Sequence, residues 1–313
     1  MLGRSDVKAI RIVWFRVFGI ALYHVVALLA FTPYLFSWSG AVVGLVSYYL
    51  FAMLGINLGY HRLLAHRGMS CPKWLERLLA LFGVLCLQLG PAYWVAIHRR
   101  HHQAPDGPQD PHSPISGFYW SHLGWILTHD VNTDPSFVTN RYAKDLMKDR
   151  FYAWLETGGW CFWVPVASWG VYFAAGFAAE WRTGGTIAEN VRFGLSILAW
   201  GVFVRTVTVW HITWSVNSVC HIWGYRNYDT PDRSRNNSLV GILAHGEGWH
   251  NNHHAEPRSA RHGHKWWELD TTWLAIRCLA WLGLMKNVQS SAQPATSAGR
   301  VAGKQSQSAA GLD

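Results

Sequence analysis

The chain has 313 residues, 50% of them apolar and only 14% charged, and 20 are tryptophan. Soluble domains carry about 25% charged residues, so this balance excludes an ordinary cytosolic enzyme, and so apolar a chain is not a disordered one. The net charge of +9 does not mark a nucleic-acid binder, because the basic residues flank apolar segments and are not gathered on a polar patch.

Crossing the hydrocarbon takes about 20 mainly apolar residues. Four stretches meet that need: 12–36, 41–58, 158–179 and 193–215. Arg4, Lys8 and Arg11 precede the first, whereas the hairpin Ser37-Trp38-Ser39-Gly40 carries no charge. Lys and Arg accumulate in cytoplasmic loops, so the N-terminus is expected in the cytoplasm. Four crossings then return both 59–157 and 216–313 to that side, with nearly all the histidines. The stretch 78–97 is apolar but holds Gln88, Gly90 and Pro91 and runs into His98-Arg99-Arg100. It reads as a helix buried against the protein or lying in the interface. His24, inside the first stretch, reads as a neutral imidazole bonded to a neighbouring helix, the usual way an intramembrane polar group is satisfied. Arg205, in the fourth, either orients a head group or pairs within the bundle. From Ser290 the chain is Ser, Ala, Gly and Gln with little to bury. The expected organisation is a membrane domain over 1–285 and a disordered tail over 286–313.

The 17 histidines nearly equal all carboxylates together. They gather in three clusters: His61-Arg-Leu-Leu-Ala-His66, His98-Arg-Arg-His101-His102 and His250-Asn-Asn-His253-His254. On a helix, residues three and four apart share a face. His98 and His102 therefore grip one metal, while His101 points about 100° away, toward a second. The five-residue spacing of His61 and His66 puts their rings about 140° apart on a regular helix, so that pair needs a helix end or a distortion to converge. His221 follows the fourth stretch, with Asn217 one turn before it. Nine imidazoles exceed the six positions of one octahedral ion; shared between two ions they leave room for an oxygen species. Imidazole suits zinc, copper, iron and nickel alike, but redox work on a hydrocarbon needs iron or copper, since zinc has no redox chemistry. The five cysteines are scattered and form no CxxC pair, which argues against disulfide staples and a zinc ribbon.

These residues resemble the membrane fatty-acid desaturases, most closely the delta-9 acyl-CoA desaturase type, over residues 10–285. All three boxes occur in order. Gly59-Tyr60-His61-Arg62 opens the first, Asp110-Pro111-His112-Ser113 follows the second, and Gly246-Glu247-Gly248-Trp249-His250 opens the third, with Asn217-Ser218-Val219-Cys220-His221 between them. The resemblance implies an all-α integral membrane protein whose four transmembrane helices carry a cytoplasmic helical cap with a histidine-ligated dimetal site. It implies two iron ions held by His61, His66, His98, His101, His102, His221, His250, His253 and His254, with Asn217 reaching a metal through water. It further implies that dioxygen and two electrons remove two hydrogens from a saturated fatty-acyl chain, leaving a cis double bond. Gln88, Trp94 and Thr213 match residues that kink the family's substrate tunnel, and Trp214 matches a residue near the acyl head group. Asp110 and His112 are candidates for orienting the ligating rings.

The chain departs from the animal acyl-CoA enzymes where Ala96 and Ile97 replace a charged pair that holds the CoA head group, and where Leu89 follows the tunnel glutamine. Both an acyl-CoA and an acyl-lipid therefore stand as substrates. The electron donor is expected to be a separate cytochrome, ferredoxin or rubredoxin-like protein, because the chain has no haem-binding His-Pro-Gly-Gly segment and no cysteine cluster. Arg99, Arg100, Arg258 and Arg261 are candidates for attracting it, or for meeting anionic membrane lipid. Two other readings compete: a di-iron hydroxylase of alkanes or lipids, and a metal transporter, whose ligands would lie at mid-membrane depth within the spans.

Overall fold

The computed structural model describes residues 11–129 and 133–290. Apart from Arg11–Ile12, paired antiparallel with Thr128–His129, the regular elements are helical. Helix α1 is Trp14–Leu29, α2 is Trp38–Ala65, α3 is Lys73–Val84 and α4 is Pro91–Gln103. After short helical turns come α5 (Trp160–Trp181), α6 (Ile187–His221), α7 (His250–Ala255) and α8 (Thr271–Trp281).

Three of these, α2, α5 and α6, are long and apolar enough to cross a membrane. The first expected span forms only the 16 residues of α1, about 24 Å at 1.5 Å per residue. That falls short of a hydrocarbon layer of about 30 Å. Apolar turns up to Phe36 follow it, with hydrogen bonds from Phe31 to Leu28 and from Thr32 to Leu29. The helices that form over the second and fourth expected spans run longer than those stretches. At 28 and 35 residues, α2 and α6 continue past their apolar windows, and those continuations carry His61 and His221. Phe162, Trp163, Val171 and Trp181 of α5 stand exposed, an apolar surface that suits lipid better than water. The three apolar helices thus fit a membrane-associated protein.

Local chemistry explains the boundaries. Ser37 caps α2 by accepting from the Gly40 amide. Thr186 and Glu189 form a reciprocal capping box that starts α6. The α5–α6 hairpin closes tightly because a Cβ on Gly176 would sit 2.9 Å from the Gly194 Cα, so only small residues allow that approach. The 78–97 stretch is not one helix. It breaks between α3 and α4, where Leu87 (φ 52°) and Leu89 (φ 70°) adopt left-handed backbone, a sparsely populated region for such side chains. Pro91 then opens α4, and the Glu156 carboxylate accepts from the Ala92 and Tyr93 amides at 2.6 and 3.2 Å.

The polar groups within the apolar helices find partners. His24 Nε2 lies 2.9 Å from His211 Nε2 on α6, the expected bond to a neighbouring helix. Arg205 donates to the carbonyls of Gly201 and Leu85 and lies over the Phe51 ring. It therefore serves the bundle rather than a head group. At the C-terminal end, Lys286 exchanges backbone hydrogen bonds with Ser70, and the Gln289 amide donates to Gly68. These bonds tie residues as far as Gln289 to the helical part of the chain. The rest of the expected tail, 291–313, lies outside the described residues.

Candidate metal centre

The first histidine pair converges because α2 is not a regular α-helix at its end. Tyr49–Ala65 is wound as a π-helix, whose hydrogen bonds span five residues, and the His66 amide donates to the His61 carbonyl at 3.1 Å. A five-residue step in this wider coil returns close to the same face, which supplies the distortion that the spacing required. The two rings lie 4.8 Å apart.

All nine histidines come together, in two groups. His61, His66, His98, His102 and His253 form the first; His101, His221, His250 and His254 form the second. Within each, the ligand nitrogens lie within 4.8 Å of one another. The helical faces sort them: His98 and His102 go to one group and His101 to the other, while α7 sends His250 and His254 to the second group and His253 to the first. Nε2 atoms meet at 3.1 Å for His61–His253, 3.0 Å for His102–His253 and 3.0 Å for His221–His250.

The protonation pattern tests whether a cation fits. Asp110 Oδ2 lies 2.9 Å from His101 Nδ1, and Asp232 Oδ2 lies 2.9 Å from His254 Nδ1. A carboxylate only accepts, so each of these nitrogens carries a proton, and each ring, when neutral, turns a lone pair out at Nε2. Those two Nε2 atoms face each other at 3.3 Å. Two facing lone pairs at that distance need a positive charge between them, either a metal ion or a proton on His101, whose hold on one is raised by Asp110 against the penalty of burial; the donor set is compatible with metal. Further carboxylates stand behind His221 (Asp106, 2.9 Å) and His61 (Glu247, 2.6 Å). Carboxylate-backed imidazoles of this kind fix the tautomer and raise ligand basicity. Burial pushes His98, His102, His250 and His253 well below the usual histidine range and brings His254 down to about 4, so these rings are neutral and able to bind metal. Burial works against the Asp110 charge, but the His112 and His101 imidazoles hold its carboxyl well below the usual range.

Of the candidates for orienting the rings, Asp110 touches His101, and His112 touches Asp110 at 3.5 Å. Sequence reasoning missed Asp106 and Asp232, and saw only that Glu247 lies near the third cluster. An Asp four residues before Asp110 was a signal that could have been read; nothing in spacing connects Asp232 to His254. Glu247 also accepts from Arg62, itself fully buried and paired with Asp270. Gly246 (φ 113°) is required there, since a Cβ would sit 2.4 Å from Asp270 Oδ1. Among the basic residues proposed for a partner, Arg99 is already engaged by Asp145 and by the Leu64, Ala65 and Tyr142 carbonyls.

Two cavities, about 1140 and 560 Å³ including open solvent, meet beside the first group, sharing Trp94, His98, Thr213 and Asn217 as lining. At the junction Gln88 donates to Thr213 Oγ1 (2.9 Å) and Trp94 Nε1 donates to Gln88 Oε1 (3.1 Å), joining three predicted tunnel residues in one strut. Trp214 is buried in the wall of the larger cavity and stacks on Trp210.

The chain was compared with known proteins. The family described as fatty acid desaturase matches residues 36–280. A protein named sn-1 stearoyl-lipid 9-desaturase from Anabaena variabilis is 43% identical over 267 residues, covering 85% of this chain and 90% of that one. One named sn-2 palmitoyl-lipid 9-desaturase from Nostoc sp. (strain 36) is 41% identical over 279 residues, 89% of this chain and 90% of its own. The Arabidopsis thaliana chloroplast protein named palmitoyl-monogalactosyldiacylglycerol delta-7 desaturase is 42% identical over 266 residues, 85% of this chain and 66% of its own. With the motifs, the paired histidine groups and these matches together, the chain belongs to the fatty acid desaturase family.

Proposed function

We propose that this protein is an integral-membrane di-iron desaturase that inserts a cis double bond at the delta-9 position of a saturated acyl chain carried on a membrane lipid. The observation that carries this reading is the gathering of nine imidazoles, in groups of five and four, with His98 lining both cavities where they meet. The relatives named as stearoyl-lipid and palmitoyl-lipid 9-desaturases support the position and the carrier. In this reading the first group holds one iron, the second the other, and Asn217 reaches a metal through water.

Iron supplies the redox chemistry with dioxygen that unactivated methylenes require and that zinc lacks. The rest is done by the chain. An aliphatic substrate offers no polar handle at the reacting carbons, so the cavity walls hold it by shape. The Gln88–Thr213–Trp94 strut fixes the bend at the junction and so sets which carbons lie beside His98. Trp210 and Trp214 supply large, rigid wall surface and keep bulk water from the reacting carbons.

The topology that suits this chemistry has four crossings, with α1 and the apolar turns to Phe36 completing the fourth. Both termini and all three boxes then face the cytoplasm, where a separate electron-donor protein delivers two electrons per turnover. Ligands at helix ends, rather than at mid-membrane depth within the spans, favour this reading over a transporter.

The test is fatty-acid profiling of cells that express the protein with a working electron donor, the double bond being located by fragmentation mass spectrometry. A new delta-9 monounsaturated chain on membrane lipid is the expected product. Hydroxylated chains would select a hydroxylase, and an unchanged profile would overturn the desaturase reading.

A further inference from the structure

The larger cavity is apolar almost throughout, and Arg16 is the only Lys, Arg, Asp or Glu in its lining. The residue sits in the first turn of α1, at the surface end. Exposed Arg11 and His129, register partners in the two-residue pairing, lie just outside. Arg16 Nη1 donates to the carbonyls of Ile126 (3.0 Å) and Thr128 (3.5 Å). No carboxylate lies within 4.0 Å of the guanidinium among the described residues, and its Nε–H and Nη2–H groups have no protein acceptor there. A half-buried cation with an incompletely used donor fork, at the surface end of a cavity shaped for hydrocarbon, calls for an anion. A guanidinium fork matches phosphate geometry in particular.

Resting on the desaturase reading, we propose that Arg16 is a specificity-determining residue that binds the phosphate of a glycerophospholipid, making acyl chains esterified to phospholipid the preferred substrate. Reach decides among carriers. Arg16 lines the acyl cavity itself, so its anion must lie close to the ester. A glycerol phosphate is only a few bonds from the ester. The pyrophosphate of CoA is separated from its thioester by the whole pantetheine arm, and a galactolipid offers no charge at all. Exposed Arg11 adds positive charge on the same rim.

The experiment reconstitutes the metal-loaded protein with its electron donor in vesicles and supplies labelled stearoyl chains as phosphatidylglycerol, as monogalactosyldiacylglycerol or as stearoyl-CoA. Wild type is expected to favour the phospholipid over the galactolipid by about tenfold or more in kcat/KM, as expected of a charge-assisted hydrogen bond. Arg16→Gln should lower that preference ratio about tenfold, with Arg16→Lys in between. Equal or better turnover of the galactolipid or the CoA ester by wild type overturns the proposal without touching desaturation. So does a uniform loss in Arg16→Gln on both lipids, which marks a purely structural tie to Ile126 and Thr128. Should the variants fail to fold, the wild-type comparison of carriers still decides. Absence of product from all three carriers removes the underlying reading as well.

Discussion

The two histidine groups differ in what stands behind them more than in what faces inward. In the group of four, three rings have an aspartate at Nδ1: Asp110 behind His101, Asp106 behind His221 and Asp232 behind His254. In the group of five, only His61 touches a carboxylate among the described residues. That carboxylate, Glu247, is also drawn on by Arg62 and His262, while His253 Nδ1 is buried with no partner. One group would therefore hold an ion through fewer imidazoles, most of them with an aspartate close to Nδ1, and the other through more imidazoles with a single shared carboxylate. The number of imidazoles and the carboxylates behind them are thus set by different parts of the chain, an asymmetry that would make two bound ions electronically unequal.

The largest expected effect comes from removing one ligand from each side. His101→Ala and His253→Ala should each abolish turnover while the chain still inserts in the membrane, as checked by product assay and membrane fractionation. Full activity in either variant would break the shared two-ion reading, whichever group it belongs to. A smaller effect should separate the groups. Asp232→Asn should weaken metal binding about 10- to 100-fold in the second group alone, seen as the loss of close to one ion per chain under mild chelation. Equal weakening at both sites would mean that the asymmetry of the carboxylates has no consequence. The smallest effect concerns substrate rather than metal. Thr213→Val removes one hydrogen bond, worth about 1 kcal/mol, and should broaden the double-bond position in the product while metal content stays at the wild-type level. A change in metal content would show that the cavity junction and the first group are mechanically one unit.

Much of this site was legible in the sequence because its chemistry follows helical geometry. The spacing of His98, His101 and His102 is enough to send them to different groups, and α4 does so. The limits were equally physical. Three apolar stretches became helices long and apolar enough to cross a membrane, but the first could not be sized, because its hydrophobicity continues through turns after Leu29 where the helix has already ended. The 78–97 stretch hid a break, since Leu87 and Leu89 give no sign in composition of left-handed backbone. Asp232 was invisible because its tie to His254 exists only once the segment before α7 folds back over the site. Arg99 looked like a free surface charge beside the box, yet its donors are taken by Asp145 and by backbone.

The π-wound stretch at the end of α2 has one more consequence. A π turn arises when an α-helix gains a residue and the flanking segments keep their orientation, and such insertions persist mainly where function holds them. The distance from His61 to His66 is in that sense a gauge of coil type. Deleting either Leu63 or Leu64 would leave a four-residue interval that suits an ordinary α-helix, and on paper the pair would still converge. But every residue beyond the deletion would be re-indexed by one step, turning His66 against α4 and shifting the Arg99 anchor at the Leu64 and Ala65 carbonyls. The irregular winding thus lets the interval, the ligand pair and the neighbouring helix keep a common register.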